Sequence, residues 1–97
     1  MNYEQLTVDE LNRLVAEKVM GWIIPDIHWQ PAANIPQAFE VADKLIEMNL
    51  GFHVAWLDYL NKWAVYTGQT GAVFGDLLPR AICIASLKAV EGKEGKE

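Results

Sequence analysis

Apolar positions along this 97-residue chain recur at helical spacing in three stretches and alternate between the second and the third. From Thr7 to Met20, Leu11, Leu14, Val15 and Val19 form one stripe, while Glu10, Arg13, Glu17 and Lys18 take the opposite face. Thr7 and Glu10 stand at capping-box spacing, with Leu6 and Leu11 placed as a hydrophobic staple, and Gly21 closes the helix. A second helix starts at the cap residue Asn34, with Pro36 in its first turn and Gln37 at the capping-box position. Its stripe is Ile35, Ala38, Phe39, Ala42, Leu45 and Ile46, and Gly51 is its expected stop.

The period then changes to two. Phe52–Leu57 and Trp63–Thr67 read as strands joined by a turn over 58–62, and both faces of this hairpin are apolar, which predicts cover on both sides. Two further short strands fit at Trp22–Ile24, before Pro25 breaks the run, and at Ala72–Phe74 inside a glycine-rich loop. A lone hairpin is marginal in water, so either these short strands or a second copy must complete the sheet. Asp76 is placed to cap a third helix, rich in Ala, Ile and Leu and carrying Cys83, that ends near Glu91 before Gly92.

These elements predict an α+β fold, helix–sheet–helix in layers, in the order helix, helix, strand, strand, helix with a small antiparallel sheet. Residues 1–92 make one domain and 93–97 a charged flexible tail. The expected core is Leu14, Val15, Ala38, Phe39, Ala42, Leu45, Val54, Val65, Ile82 and Leu87.

Composition narrows the function. A net charge of −5, with the eight basic residues scattered, predicts no nucleic-acid partner. No apolar run reaches membrane-spanning length and the first ten residues lack a signal-peptide pattern, so no membrane partner is expected and the chain is placed in the cytoplasm. A single cysteine excludes an internal disulfide.

Several local patterns combine into a resemblance. AEKVMGW at 16–22, the Trp29-x-Pro31 pair before a capped helix, AFEVADKL at 38–45 and RAICIASLKAVEG at 80–92 resemble the phage ABA sandwich domain family. Those residues span most of the chain and are mainly packing residues. The resemblance implies a sheet layered between helices and a phage or prophage origin in a bacterial host, and it supplies no catalytic residues. The chain departs from the family's pattern at Gln30-Pro31-Ala32-Ala33 and in an apolar hairpin turn carrying Tyr59 and Leu60.

The chemical candidates are few. Asp26, His28, His53 and Cys83 lack the clustered spacing of a zinc site, so no metal and no cofactor are expected. Cys83 reads as a small buried hydrophobe rather than a nucleophile. The loop Gly68–Gly75 lacks both the Walker ending and the dinucleotide spacing and reads as a structural turn, although Arg80 one helical turn later keeps an anion site in view. Trp56 and Trp63 fit a cross-strand pair. Trp22 and Trp29 flank a proline-broken loop, where core packing competes with ligand stacking or subunit contact.

The chain is therefore expected to be a non-catalytic binding module whose candidate ligand residues are Trp22, His28, Trp29 and Arg80. Phage context suggests a sequestered host ligand, such as a nucleotide signal of bacterial defence. The alternative is an accessory phage protein that binds another protein. Apolar surface in excess of what so small a core can hide predicts a symmetric homodimer, formed by helix contact or edge pairing, with any ligand near the Trp22–Trp29 loop.

Overall fold

A computed structural model describes residues 3–23, 28–68 and 71–94, with side chains through residue 92. A short 3-10 turn, Tyr3–Gln5, leads into helix α1, Val8–Leu14, which widens directly into a π turn, Val15–Val19. Helix α2, Ile35–Glu47, precedes strands β1, His53–Leu57, β2, Lys62–Thr67, and β3, Gly71–Gly75, and the last element is helix α3, Leu78–Glu94.

The local signals act largely as expected. Thr7 Oγ1 accepts from the Glu10 N–H at 3.2 Å, and the Glu10 carboxylate accepts from the Thr7 N–H at 2.9 Å. That backbone donor holds the Glu10 carboxyl below its ordinary range. Gly21, at φ +76°, ends the first helix, and the Trp22 N–H closes on the Ala16 carbonyl at 2.9 Å. Asn34 caps α2 through the Gln37 N–H at 3.0 Å. The stop of α2 is Asn49 rather than Gly51: at φ +59° its N–H reaches the Ile46 carbonyl, and the Leu50 N–H reaches that of Leu45, both at 3.0 Å. Gly51 serves the next step, a close approach in which an added Cβ would lie 3.3 Å from the Gly68 nitrogen.

The sheet is antiparallel in the order β1-β2-β3, and Val54, Val65 and Val73 form one registered row. The third strand is longer than the expected Ala72–Phe74, while Trp22 and Ile23 lie in no strand and Ile24 falls outside the described residues. Trp56 pairs with Trp63 as expected, edge to face at 5.2 Å between ring centroids. Asp76 does not cap α3. The helix begins at Leu78, and the Asp76 carboxylate instead takes the Lys62 ammonium at 3.0 Å. Nor does Gly92 stop α3, which continues to Glu94; the tail beyond residue 94 lies outside the described residues.

Helix α3 is the middle of the molecule. Residues 81–87, Ala89 and Val90 are all buried, because one side packs on β2 and β3 and the others on α1, the π turn and α2. Gly75 makes the sheet contact close, since a Cβ there would sit 3.3 Å from that of Ala81. The outer sheet face, which carries His53, Ala55, Leu57, Lys62, Tyr66 and Phe74, is covered by no described helix, contrary to the two-sided cover expected of the hairpin.

Seven of the ten expected core residues are buried, and Leu14 and Val54 are half-buried against the core. Phe39 is the exception. It stays 40% exposed because α2 turns Ala38, Val41, Ala42 and Leu45 toward the core, leaving Phe39 to meet Phe52 edge to face at 6.0 Å.

The burial contrast has a direct consequence for stability. Ile82 is fully buried and Ile23 is 95% exposed. Ile82→Ala should lower the unfolding free energy by about 2–5 kcal/mol, whereas Ile23→Ala should stay within about 0.5 kcal/mol, both read by urea denaturation.

Candidate functional site

Trp22 and Trp29 come together. Their ring centroids are 4.6 Å apart at 55°, and the Trp29 indole N–H donates to Glu40 Oε1 at 3.0 Å. Trp29 is buried, so the pair clamps the loop between the first two helices onto α2. Two more bonds hold the same loop. The Gln30 N–H donates to Gln37 Oε1, and the Ala32 N–H donates to Asn12 Oδ1 at 2.8 Å. Asn12 is itself buried and its Nδ2 finds no acceptor. His28 is exposed beside this clamp.

Arg80 works elsewhere. Its Nη2 donates to the carbonyls of Glu4 at 2.9 Å and Leu6 at 2.7 Å, tying the N-terminal segment to the first turn of α3. Lys88 Nζ adds a bond to Glu4 at 3.1 Å, and Tyr3 Oη donates to the Glu91 carboxylate. Residues 7–21 lie between the Leu6 carbonyl and Trp22, a separation of ~20 Å at helical rise. The four candidate ligand residues therefore fall into two places, with Arg80 apart from Trp22, His28 and Trp29.

Arg80 does line a cleft, of about 310 Å³, where β3 turns into α3. Lys62, Phe74, Asp76, Leu77 and Glu4 share its walls. Phe74 and Leu77 offer exposed apolar surface, and Lys62 and Arg80 supply two cations. The first turn of α3 brings backbone N–H groups that have no intrahelical acceptor. Asp76 and Glu4 balance the two cations, and the Lys62–Asp76 pair is exposed enough to be worth at most about 1 kcal/mol, so a stronger anion can displace it. Sequence reasoning named Arg80 but missed Lys62, Phe74 and Leu77. The one signal available was a large apolar side chain inside a glycine-rich loop.

Cys83 is fully buried, and burial pushes its thiol up to about 12 from an ordinary 9.0, slightly opposed by the Arg80 charge. A thiol so protonated is a packing group, not a nucleophile at neutral pH. Among the described residues no group of three or more His, Cys, Asp or Glu side chains is placed to hold a metal. No helix of the described residues is long and apolar enough to cross a membrane.

Comparison with known proteins agrees with this architecture. Residues 13–87 match the sequence profile of the phage ABA sandwich domain. The fold is also that of a phage protein from Bacillus cereus ATCC 14579 with a 2.0 Å crystal structure. The two superpose with a TM-score of 0.73 over 89% of each chain, at 24% sequence identity. No curated protein matches the chain.

The clamp and the buried thiol each have a measurable outcome. Glu40→Ala leaves the Trp29 N–H without its acceptor, so it should cost about 1–3 kcal/mol and shift tryptophan emission, compared with wild type by denaturation and fluorescence. For Cys83, the folded chain keeps a proton that the unfolded chain releases above pH 9.0. The thiol's contribution to stability should be complete below that pH and disappear as pH rises toward about 12. A thiol reagent at pH 8 should label Cys83 only as fast as the protein unfolds.

Proposed function

Given that the chain belongs to the phage ABA sandwich domain family, we propose that it is a non-catalytic binding module that holds a small anionic host ligand of the nucleotide class. The observation that carries this reading is the cleft where β3 turns into α3, whose walls include Phe74, half exposed, together with Lys62 and Arg80. A planar base stacks on an aromatic face, while phosphate oxygens take an ammonium, a guanidinium and the N-terminal dipole of a long helix. The two carboxylates in the same walls weaken the site for simple anions and favour a ligand that also gains apolar contact.

Such a module acts by mass action, lowering the free concentration of a host signal in the infected cell without turning it over. Catalysis has little support. Cys83 is buried with a raised pKa, and the cleft holds Lys62 and Arg80 in existing bonds rather than beside an activated nucleophile.

A thermal-shift series with ADP, a cyclic dinucleotide, ADP-ribose and inorganic phosphate tests the reading. A nucleotide at 100 times its dissociation constant adds about 2.7 kcal/mol to stability, a rise of roughly 10 °C or more for a domain of this size. Phe74→Ala and Lys62→Ala should each abolish most of that rise. Millimolar nucleotides that leave the melting temperature unchanged would remove this reading, and a rise with phosphate alone would reduce it to a simple anion site.

A further inference from the structure

We infer that residues 3–6 form a positioning strap for the cleft, holding the Arg80 guanidinium where an anionic ligand meets it. Ligand binding and docking of the strap then reinforce each other. This role for the segment rests on the cleft being the binding site.

An arginine on a helix surface is long and free to rotate, and ordering it at the moment of binding weakens the ligand. Here two neutral acceptors order it beforehand. Arg80 Nη2 carries two hydrogens, and they meet the Glu4 carbonyl at 2.9 Å and the Leu6 carbonyl at 2.7 Å. A carbonyl fixes a guanidinium in place without cancelling its charge. The N–H donors of Nη1 and Nε are not spent on the segment. Lys62 is held differently, by the Asp76 carboxylate, which a ligand has to displace. Of the two cations in the cleft, Arg80 is the one ordered by neutral groups.

Glu4 joins Arg80 in lining the cleft, so part of its wall exists only while the segment is docked. Further contacts along α3 keep it there. Lys88 Nζ meets Glu4 Oε1 at 3.1 Å, and Tyr3 Oη donates to the Glu91 carboxylate. From Arg80 to Glu91 these anchors run along ~16 Å of α3 at helical rise. Tyr3, Lys88 and Glu91 do not line the cleft, so they act on a ligand only through the segment. The Glu4 carboxylate brings its own counter-charge in Lys88, so docking adds a wall without an unpaired anion. That ion pair is exposed and therefore weak, which leaves docking as an equilibrium that a ligand can shift. By linkage, whatever factor docking adds to ligand affinity, the ligand adds to docking.

Isothermal titration of the full-length chain with pyrophosphate and with ADP reads the first direction. The double variant Tyr3→Phe/Lys88→Ala alters no residue of the cleft walls. It should weaken whichever probe binds by about tenfold, with its circular dichroism that of wild type. Hydrogen exchange of the wild-type chain, saturated with the probe that binds, reads the second direction. The Leu6 amide, which donates to the Tyr3 carbonyl at 3.2 Å, should slow by about the same factor. The Gln37 amide at the α2 cap should keep its rate. If the double variant fails to fold, the exchange measurement on wild type decides alone. Unchanged affinity in the variant, or a Leu6 amide indifferent to the probe, overturns the strap's role and leaves the nucleotide reading standing. Tighter binding in the variant overturns it too, and makes the segment a competitor for Arg80. Coupling seen with pyrophosphate while ADP does not bind keeps the strap's role and removes the nucleotide reading. Binding of neither probe removes both.

Discussion

The fold depends on burying α3 around nearly its whole circumference. Residues 81–87, together with Ala89 and Val90, present apolar or small side chains on every side, so no single partner layer can hide them. The sheet covers one side and α1, the π turn and α2 cover the rest. Small residues make this possible: Ala81 against Gly75, and Ala85, Ser86 and Ala89 within the helix, let neighbouring backbones approach closely. The Ser86 hydroxyl donates to the Cys83 carbonyl at 2.7 Å, so even the polar group inside this helix is satisfied locally.

Committing both layers to α3 leaves other surfaces thinly covered. The outer sheet face, the inner face of β1 and one flank of α2 all keep apolar side chains in contact with solvent. The N-terminal segment answers part of this demand. Arg80, Lys88 and Glu91 draw Tyr3 and Glu4 down onto α3, and Tyr3 becomes a core residue. What remains exposed on α2 is Ile35, Phe39 and Ile46, which share one narrow arc of the helix.

The same economy shapes the chemistry. Polar side chains that could serve a reaction are spent on holding loops, as Glu40 is on Trp29 and Asn12 on Ala32. The cleft at the start of α3 differs in kind, because its ion pair is exposed and weak while its apolar walls are open. Binding needs no more than that arrangement, whereas catalysis would need a nucleophile, a base and an orienting group held together.

The sequence by itself determined the main helices, the hairpin and the first caps, because caps and periodicity are local. The Thr7–Glu10 box, the Asn34 cap and the alternation through the hairpin specify structure over a few residues, and the Trp56–Trp63 pair follows from register alone. Local rules failed where long-range competition decided. Asp76 left the cap for Lys62, fourteen residues away in sequence; the stop of α2 is a local matter too, but Asn49 took it two residues before the expected Gly51. Only the tertiary structure decided which part of an apolar arc is buried, because period tells that Phe39, Ile35 and Ile46 are apolar but not which way α2 turns against α3. It also decided the candidate site. Trp22 and Trp29 proved to be a clamp, and Arg80 joined Lys62 and Phe74 only because the sheet folds back onto the first turn of the last helix.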